Sequence, residues 1–210
     1  MTLDTLDTLV TDARARLLAR ATREGLTDVG YAVVDSPLGP LWIAVGPRGL
    51  AVISYGAEPN ATDFGRLLRT YGPGIVPDPR RTSPVARELD QYFAGRRRSF
   101  DLDVDLAGMT PFQRRVLRAT ARVPYGELVT YKTVARQAGN EAASRAAGAA
   151  VGANPIPIVV PCHRVVASDG SLGGYAGGLD AKRRLLAIER GEAVPSGGWE
   201  RSGPSRPTQA

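Results

Sequence analysis

The only cysteine and the only histidine of this 210-residue chain are neighbours, Cys162 and His163. They lie in the string Asn154-Pro-Ile-Pro-Ile-Val-Val-Pro-Cys-His-Arg-Val-Val166. A thiol acts as a nucleophile only once ionised, and an adjacent base is the usual means of ionising it. The competing reading of a Cys-His dipeptide is a small buried apolar residue beside an unrelated imidazole. Here the prolines at 155, 157 and 161 restrict the backbone on the approach, so the thiol is presented from a stiff segment. One cysteine cannot form an internal disulfide, and one Cys with one His falls short of a zinc site. The chemistry is therefore organic, or uses a cofactor held by other residues.

The chain carries a net charge of +6, unevenly spread. Residues 108–192 hold 12 Arg/Lys against 6 Asp/Glu, whereas residues 1–107 hold 13 against 14. A basic surface around a reactive centre points to an anionic partner, nucleic acid first. Lys132 and Lys182 are the only lysines, and an arginine-rich composition also follows from a genome biased toward G and C, so charge alone does not decide. An apolar content of 43% is that of an ordinary globular protein. Neither a membrane-spanning run nor a signal peptide is visible, which predicts a cytoplasmic protein with no membrane partner.

Several elements must position the thiol. Residues 3–24 space Leu3, Leu6, Leu9, Val10, Leu17 and Leu18 with a helical period. From Tyr31, the runs YAVVDS, PLGPLWIAVG and GLAVISYG predict a three-stranded antiparallel meander. Helices follow over 61–71 and 83–94, the second capped by Ser83-Pro84, and Phe100–Leu106 alternates as a further strand. Beyond Gly108, helices are predicted over 111–121, 130–138, 141–151 and 180–190, the last beginning at Asp180. Residues 193–210, rich in Pro, Gly and Ser, are expected to be disordered.

The stretch TYKTVARQAGNEAASRAAGAAV over 130–151 has helix-turn-helix spacing, although two short helices around a glycine also occur in ordinary cores. Its second helix sets six alanines and Gly148 around a single Arg145. Small side chains allow close helix packing; equally, they let a backbone approach a minor groove about 6 Å wide. An enzyme acting on a base inside a duplex must rotate it out of the stack, and a long cationic side chain such as Arg145 would fill the space vacated.

These residues resemble the O6-alkylguanine-DNA alkyltransferases, also called methylated-DNA–protein-cysteine methyltransferases. The match covers roughly 108–192: Tyr131, the Arg145 helix, Asn154-Pro155, PCHRVV at 161–166, GGYAGGL at 173–179, Lys182 and Glu189. Residues 30–107 look like the family's N-terminal α+β domain, by pattern more than by motif. The resemblance implies an α+β protein: a small ribonuclease-H-like antiparallel sheet with helices over 30–107, then a mainly helical DNA-binding domain with a helix-turn-helix over 108–192. Residues 1–29 and 193–210 fall outside it.

The implied activity is the stoichiometric transfer of an alkyl group from O6-alkylguanine in double-stranded DNA to Cys162, ending in self-inactivation. By the same resemblance His163 takes the thiol proton through a water, Glu189 orients His163, and Asn154 supports the turn. Tyr131 donates to N3 of the flipped guanine while Arg145 fills its place in the duplex. The Val165 carbonyl contacts the exocyclic amine and the Ala176 N–H meets O6; Pro157 and Tyr175 line the pocket. The protein is expected to work as a monomer in the minor groove, with no cofactor and no metal.

Ala176 stands where several members have serine, and Gly152 where some have arginine. The rival reading is a binding-only protein of the alkyltransferase-like type, in which the acceptor cysteine is replaced; Cys162 argues against it. A methylation-switched transcription factor of the kind known in relatives needs a second cysteine, which this chain lacks. A generic cysteine hydrolase needs an oxyanion hole that no motif supplies.

Overall fold

The structure, a computed structural model, describes residues 27–192 and, ahead of them, Ala13, Arg16, Arg20, Ala21, Glu24 and Gly25. The helix expected over 3–24 and the tail after 192 lie outside the described residues, except that Ala13, Arg16, Arg20 and Ala21 are helical.

The antiparallel meander forms as β1 (Val29–Val34), β2 (Leu41–Gly46) and β3 (Gly49–Tyr55). Strand β2 is buried along its whole length, and its two-residue period serves two cores. Leu41, Ile43 and Val45 join the larger core; Trp42 and Ala44 join a second one. A short strand β4 (Ile75–Pro77) adds parallel to β1, giving the order β3-β2-β1-β4. Three residues are too few for an alternation to be visible in the sequence.

Helix α1 (Ala61–Tyr71) is capped by Asn60, whose Oδ1 accepts from the Asp63 N–H at 2.9 Å. Helix α2 runs Pro79–Phe93, so it starts one turn before the Ser83-Pro84 pair. Asp78-Pro79 is the cap that forms, the Asp78 carboxylate accepting from the N–H groups of Arg80 and Arg81. Pro84 is thus interior and leaves the Arg80 carbonyl without its helical donor; the Ser83 hydroxyl donates to that oxygen at 3.2 Å instead. The strand expected at Phe100–Leu106 is reduced to a single bridge, Leu50 opposite Val104. Leu50 donates to Asp103 and accepts from Asp105, while Phe100 and Leu102 pack on the core. Their alternation reflects side-chain burial, not a ladder.

The second half begins with α3 (Pro111–Ala121), closed by a Thr110/Gln113 capping box. The helix-turn-helix follows as α4 (Tyr131–Gln137), a 3₁₀ turn (Glu141–Ala143) and α5 (Ser144–Gly152). The last helix, α6 (Gly178–Glu189), starts two residues ahead of Asp180, which sits in its first turn paired with Arg183 rather than at the cap. Strands β5 (Val129–Thr130) and β6 (Val165–Val166) pair in parallel. The largest core is shared between the halves: Ile43, Leu89 and Tyr92 contribute to it together with Leu117, Ile156, Ile158 and Leu185. Among the described residues no helix is long and apolar enough to cross a membrane.

Candidate active site

The segment 154–164 is a clamped loop. Asn154 is buried; its Oδ1 accepts from the Ile156 N–H at 3.1 Å. Its Nδ2 donates to the Val160 carbonyl at 2.8 Å and to Cys162 Sγ at 3.1 Å. One side chain thus ties the start of the loop to its end and to the sulfur. Between them Ile158 has φ of 77°, the only non-glycine residue with positive φ among the described residues. A β-branched residue in that region is strained, and the strain is held by the cross-ties at both ends. Cys162, His163 and Arg164 then form a 3₁₀ turn, all three side chains buried.

His163 Nε2 lies 2.7 Å from Glu189 Oε1, on the final turn of α6. An Nε2–H donating to the carboxylate leaves Nδ1 as a bare lone pair, and Nδ1 is buried without a protein partner. Glu189 is heavily engaged: Arg164 donates to both its oxygens at 2.8–3.1 Å, the Tyr92 hydroxyl donates to Oε1 at 2.7 Å, and the Gly126 N–H donates to Oε2 at 3.0 Å.

The electrostatics follow from these contacts. Burial raises the Cys162 thiol above its usual range, opposed by the Asn154 hydrogen bond, the Lys182 charge and the Tyr175 hydroxyl. Burial lowers His163, opposed by Glu189, while the Arg164 and Lys182 charges lower it further. Burial alone would raise Glu189, but hydrogen bonds from His163 and Arg164 hold it well below the usual carboxylate range. Because Arg164 already neutralises the carboxylate, little of its charge is left to stabilise an imidazolium. The resting pair is therefore neutral thiol and neutral imidazole, and the thiolate forms as reaction proceeds rather than standing ready.

Of the remaining expected residues, Val165, Tyr131 and Tyr175 belong to or pack on the cluster that contains Cys162. Tyr131, first residue of α4, packs against the cluster of Val116, Val134, Ala147 and Cys162. Burial and the nearby thiol push its hydroxyl above the usual range. Gly173, at φ of 63°, allows the contact on its other side: a Cβ there would stand 3.0 Å from the Tyr131 hydroxyl. Pro157 is buried, Tyr175 half-buried against the same cluster, and Ala176 exposed. The Val165 carbonyl accepts from Lys182 Nζ at 2.7 Å, which leaves its second lone pair for another donor. Helix α5 has two faces: Ala147 and Ala150 pack inward, while Arg145, Ala146 and Ala149 are exposed. Among the described residues Arg145 has no ion-pair or hydrogen-bond partner. No three His, Cys, Asp or Glu side chains among the described residues group as metal ligands.

Two family models match. The ribonuclease-like domain of 6-O-methylguanine DNA methyltransferase covers residues 29–106, and the DNA binding domain of the same family covers 111–191. A methylated-DNA–protein-cysteine methyltransferase of Mycolicibacterium paratuberculosis is 44% identical over 165 residues, 77% of this chain and 93% of its own length. The crystal structure of a Mycobacterium tuberculosis O6-methylguanine methyltransferase aligns with a TM-score of 0.68 at 40% identity, covering 79% of this chain and 95% of that one. The OGT protein of the same organism, solved in complex with DNA, aligns with a TM-score of 0.67, covering 80% and 96%.

The chain belongs to the 6-O-methylguanine DNA methyltransferase family. Two positions of this methyltransferase that the resemblance sets apart are Ala176 and Gly152. Ala176 brings no hydroxyl to the 173–178 loop. Gly152 lies seven residues beyond Arg145 on the same side of α5, where a side chain would meet open space. Three further residues of the methyltransferase site carried no signal strong enough to be singled out: Arg164, Tyr92 and Tyr55. Arg164 adjoins the histidine in sequence, yet only the fold shows that it shares Glu189. Tyr92 and Tyr55 come from the first half, 97 and 120 residues from their hydrogen-bond partners.

Proposed function

We propose that this protein repairs DNA by moving an alkyl group from O6 of guanine to Cys162 Sγ, once per molecule. The observation that carries the reading is the buried sulfur of Cys162, next in sequence to the His163–Glu189 pair and in one cluster with the inner face of the helix-turn-helix. His163 Nδ1 accepts the thiol proton through a water, with Glu189 fixing the ring and its tautomer. The thiolate sulfur attacks the alkyl carbon; the C–S bond forms as the C–O bond breaks, and the electron pair leaves on guanine. The Tyr131 hydroxyl donates to N3 of the departing ring, relieving the charge that develops there. Val165 carbonyl and the Ala176 N–H read the guanine edge, and Pro157 and Tyr175 wall the recess. A thioether, unlike a thioester, is not hydrolysed, so the protein is spent.

The exposed small-residue face of α5 fits the minor groove, and Arg145 occupies the stack in place of the extruded guanine. The protein acts as a monomer on duplex DNA, without cofactor or metal, and its division at Gly108 separates scaffold from DNA-reading half. Duplex DNA carrying O6-methylguanine labelled in the methyl group tests the reading: label should pass to protein and saturate at one per chain. Label that stays on DNA while the protein binds it would favour the binding-only alternative. Arg145→Ala is expected to slow transfer from duplex DNA about tenfold while changing reaction with free O6-alkylguanine less than about twofold. Stopped-time assays on both substrates check this, and equal losses would remove Arg145 from the stack.

A further inference from the structure

Strand β3, in the half that carries none of the expected site residues, touches both loops that flank the sulfur. The Ile53 N–H donates to the Pro155 carbonyl at 2.8 Å, at the head of the 154–161 loop. Two residues on, the Tyr55 hydroxyl meets the Tyr175 hydroxyl at 2.7 Å, within the 173–178 loop. The rings stand edge to face, with centroids 6.0 Å apart. Tyr55 also lies against Gly177, where a Cβ would come within 2.8 Å of its ring, so only glycine admits this approach. Tyr175 packs in turn against the cluster that contains Cys162.

We propose that Tyr55 is a positioning residue for Cys162: its hydroxyl donates to the Tyr175 oxygen, leaving the Tyr175 proton to be donated to the sulfur. A thiolate is acceptor-only, which sets the direction of the chain. With the thiol neutral, Asn154 Nδ2 is the side chain that donates to the sulfur; once the thiol ionises, the chain runs from Tyr55 O–H to the Tyr175 oxygen and from Tyr175 O–H to Sγ. Each bond polarises the next, so the remote hydroxyl strengthens the one that meets the charge. This goes with the fall that the Tyr175 hydroxyl produces in the thiol's pKa against the larger rise from burial. The other groups acting on the sulfur are Asn154 and Lys182, with His163 adjacent and Tyr131 packed nearby.

The inference rests on the reading of Cys162 as the reacting thiol, and its test needs no DNA. Iodoacetamide alkylation of the free protein is followed across pH for wild type, Tyr55→Phe, Tyr175→Phe and the double variant. Phenylalanine at 55 keeps the ring on Gly177 and removes only the hydroxyl. The wild-type rate should climb with pH toward the raised thiol pKa. Tyr55→Phe should be about threefold slower near pH 7, its curve displaced to higher pH and meeting wild type where the thiol is fully ionised. The double variant should be no slower than Tyr175→Phe, since Tyr55 acts through Tyr175. A merely structural role would lower the rate equally at every pH; that result, an unshifted profile or additive losses would overturn the proposal. Should wild type react with iodoacetamide as described yet take no methyl from DNA, the repair reading fails and the relay stands.

Discussion

Cys162→Ala is expected to abolish alkyl transfer while leaving affinity for O6-methylguanine duplex within about threefold of wild type. The other polar side chains near the recess are poorer acceptors: burial keeps the Tyr131 and Tyr175 hydroxyls protonated, Lys182 is held by the Val165 carbonyl, and His163 is tied to Glu189. The fold should tolerate the change. The Asn154 amide loses the sulfur but keeps the Val160 carbonyl, and removal of one buried sulfur costs on the order of 1 kcal/mol. Binding depends on α5 and the recess walls, which the substitution leaves in place. Transfer assays paired with titration of lesion-containing and undamaged duplex check both halves of the expectation. Loss of lesion binding along with transfer would mean that the thiol shapes the recess rather than reacting within it.

Glu189→Gln is expected to slow transfer by about 10²–10⁴-fold and to destabilise the protein by about 3–5 kcal/mol. The kinetic effect comes from tautomer control. A carboxylate can only accept, so it holds the proton on His163 Nε2 and leaves Nδ1 free to take one from the thiol. A glutamine amide turned to donate would reverse this and place the proton on Nδ1, where a base is needed. The stability effect comes from Arg164, whose buried guanidinium would lose its counter-charge, and from Tyr92, which would lose a charged acceptor. The pH dependence has a definite sign. Glu189 is depressed in the folded state, so its contribution is fully present above the usual carboxylate value of 4.5 and is lost as pH falls below it. The variant should therefore differ most in melting temperature near neutral pH and approach wild type in acid. A variant that melts like wild type at pH 7 yet transfers slowly would confine Glu189 to the kinetic role.

What was legible in the sequence, and what was not, follows from how far each feature reaches. Cys162 and His163 stood out by scarcity, and the three prolines before them announced a stiff approach whose outcome is the clamped, strained loop at Ile158. Periodicity located the meander and the helices because each is a local pattern. It misplaced the start of α2 because Asp78-Pro79 and Ser83-Pro84 are both good caps; the choice belongs to the core, which buries Thr82 and Val85 on one helix. It also read Phe100–Leu106 as a strand, since alternating burial looks the same with or without a ladder. The alanines of α5 were ambiguous for a sound reason: one face packs and the other is open. Contacts between the halves were out of reach altogether. Nothing local to Tyr92 or Tyr55 says that it meets Glu189 or Tyr175, and Arg164 looked like one more arginine in a basic half.

The central claim is that Cys162 Sγ becomes the final home of the alkyl group, and peptide mass spectrometry after incubation with O6-methylguanine duplex tests it most directly. One added methyl is expected on the peptide containing Cys162, growing to one per protein as the lesion disappears, and then no further reaction. Cys162 left unmodified while the lesion persists, a methyl found on any other residue, or continued lesion loss after the protein is saturated would contradict it.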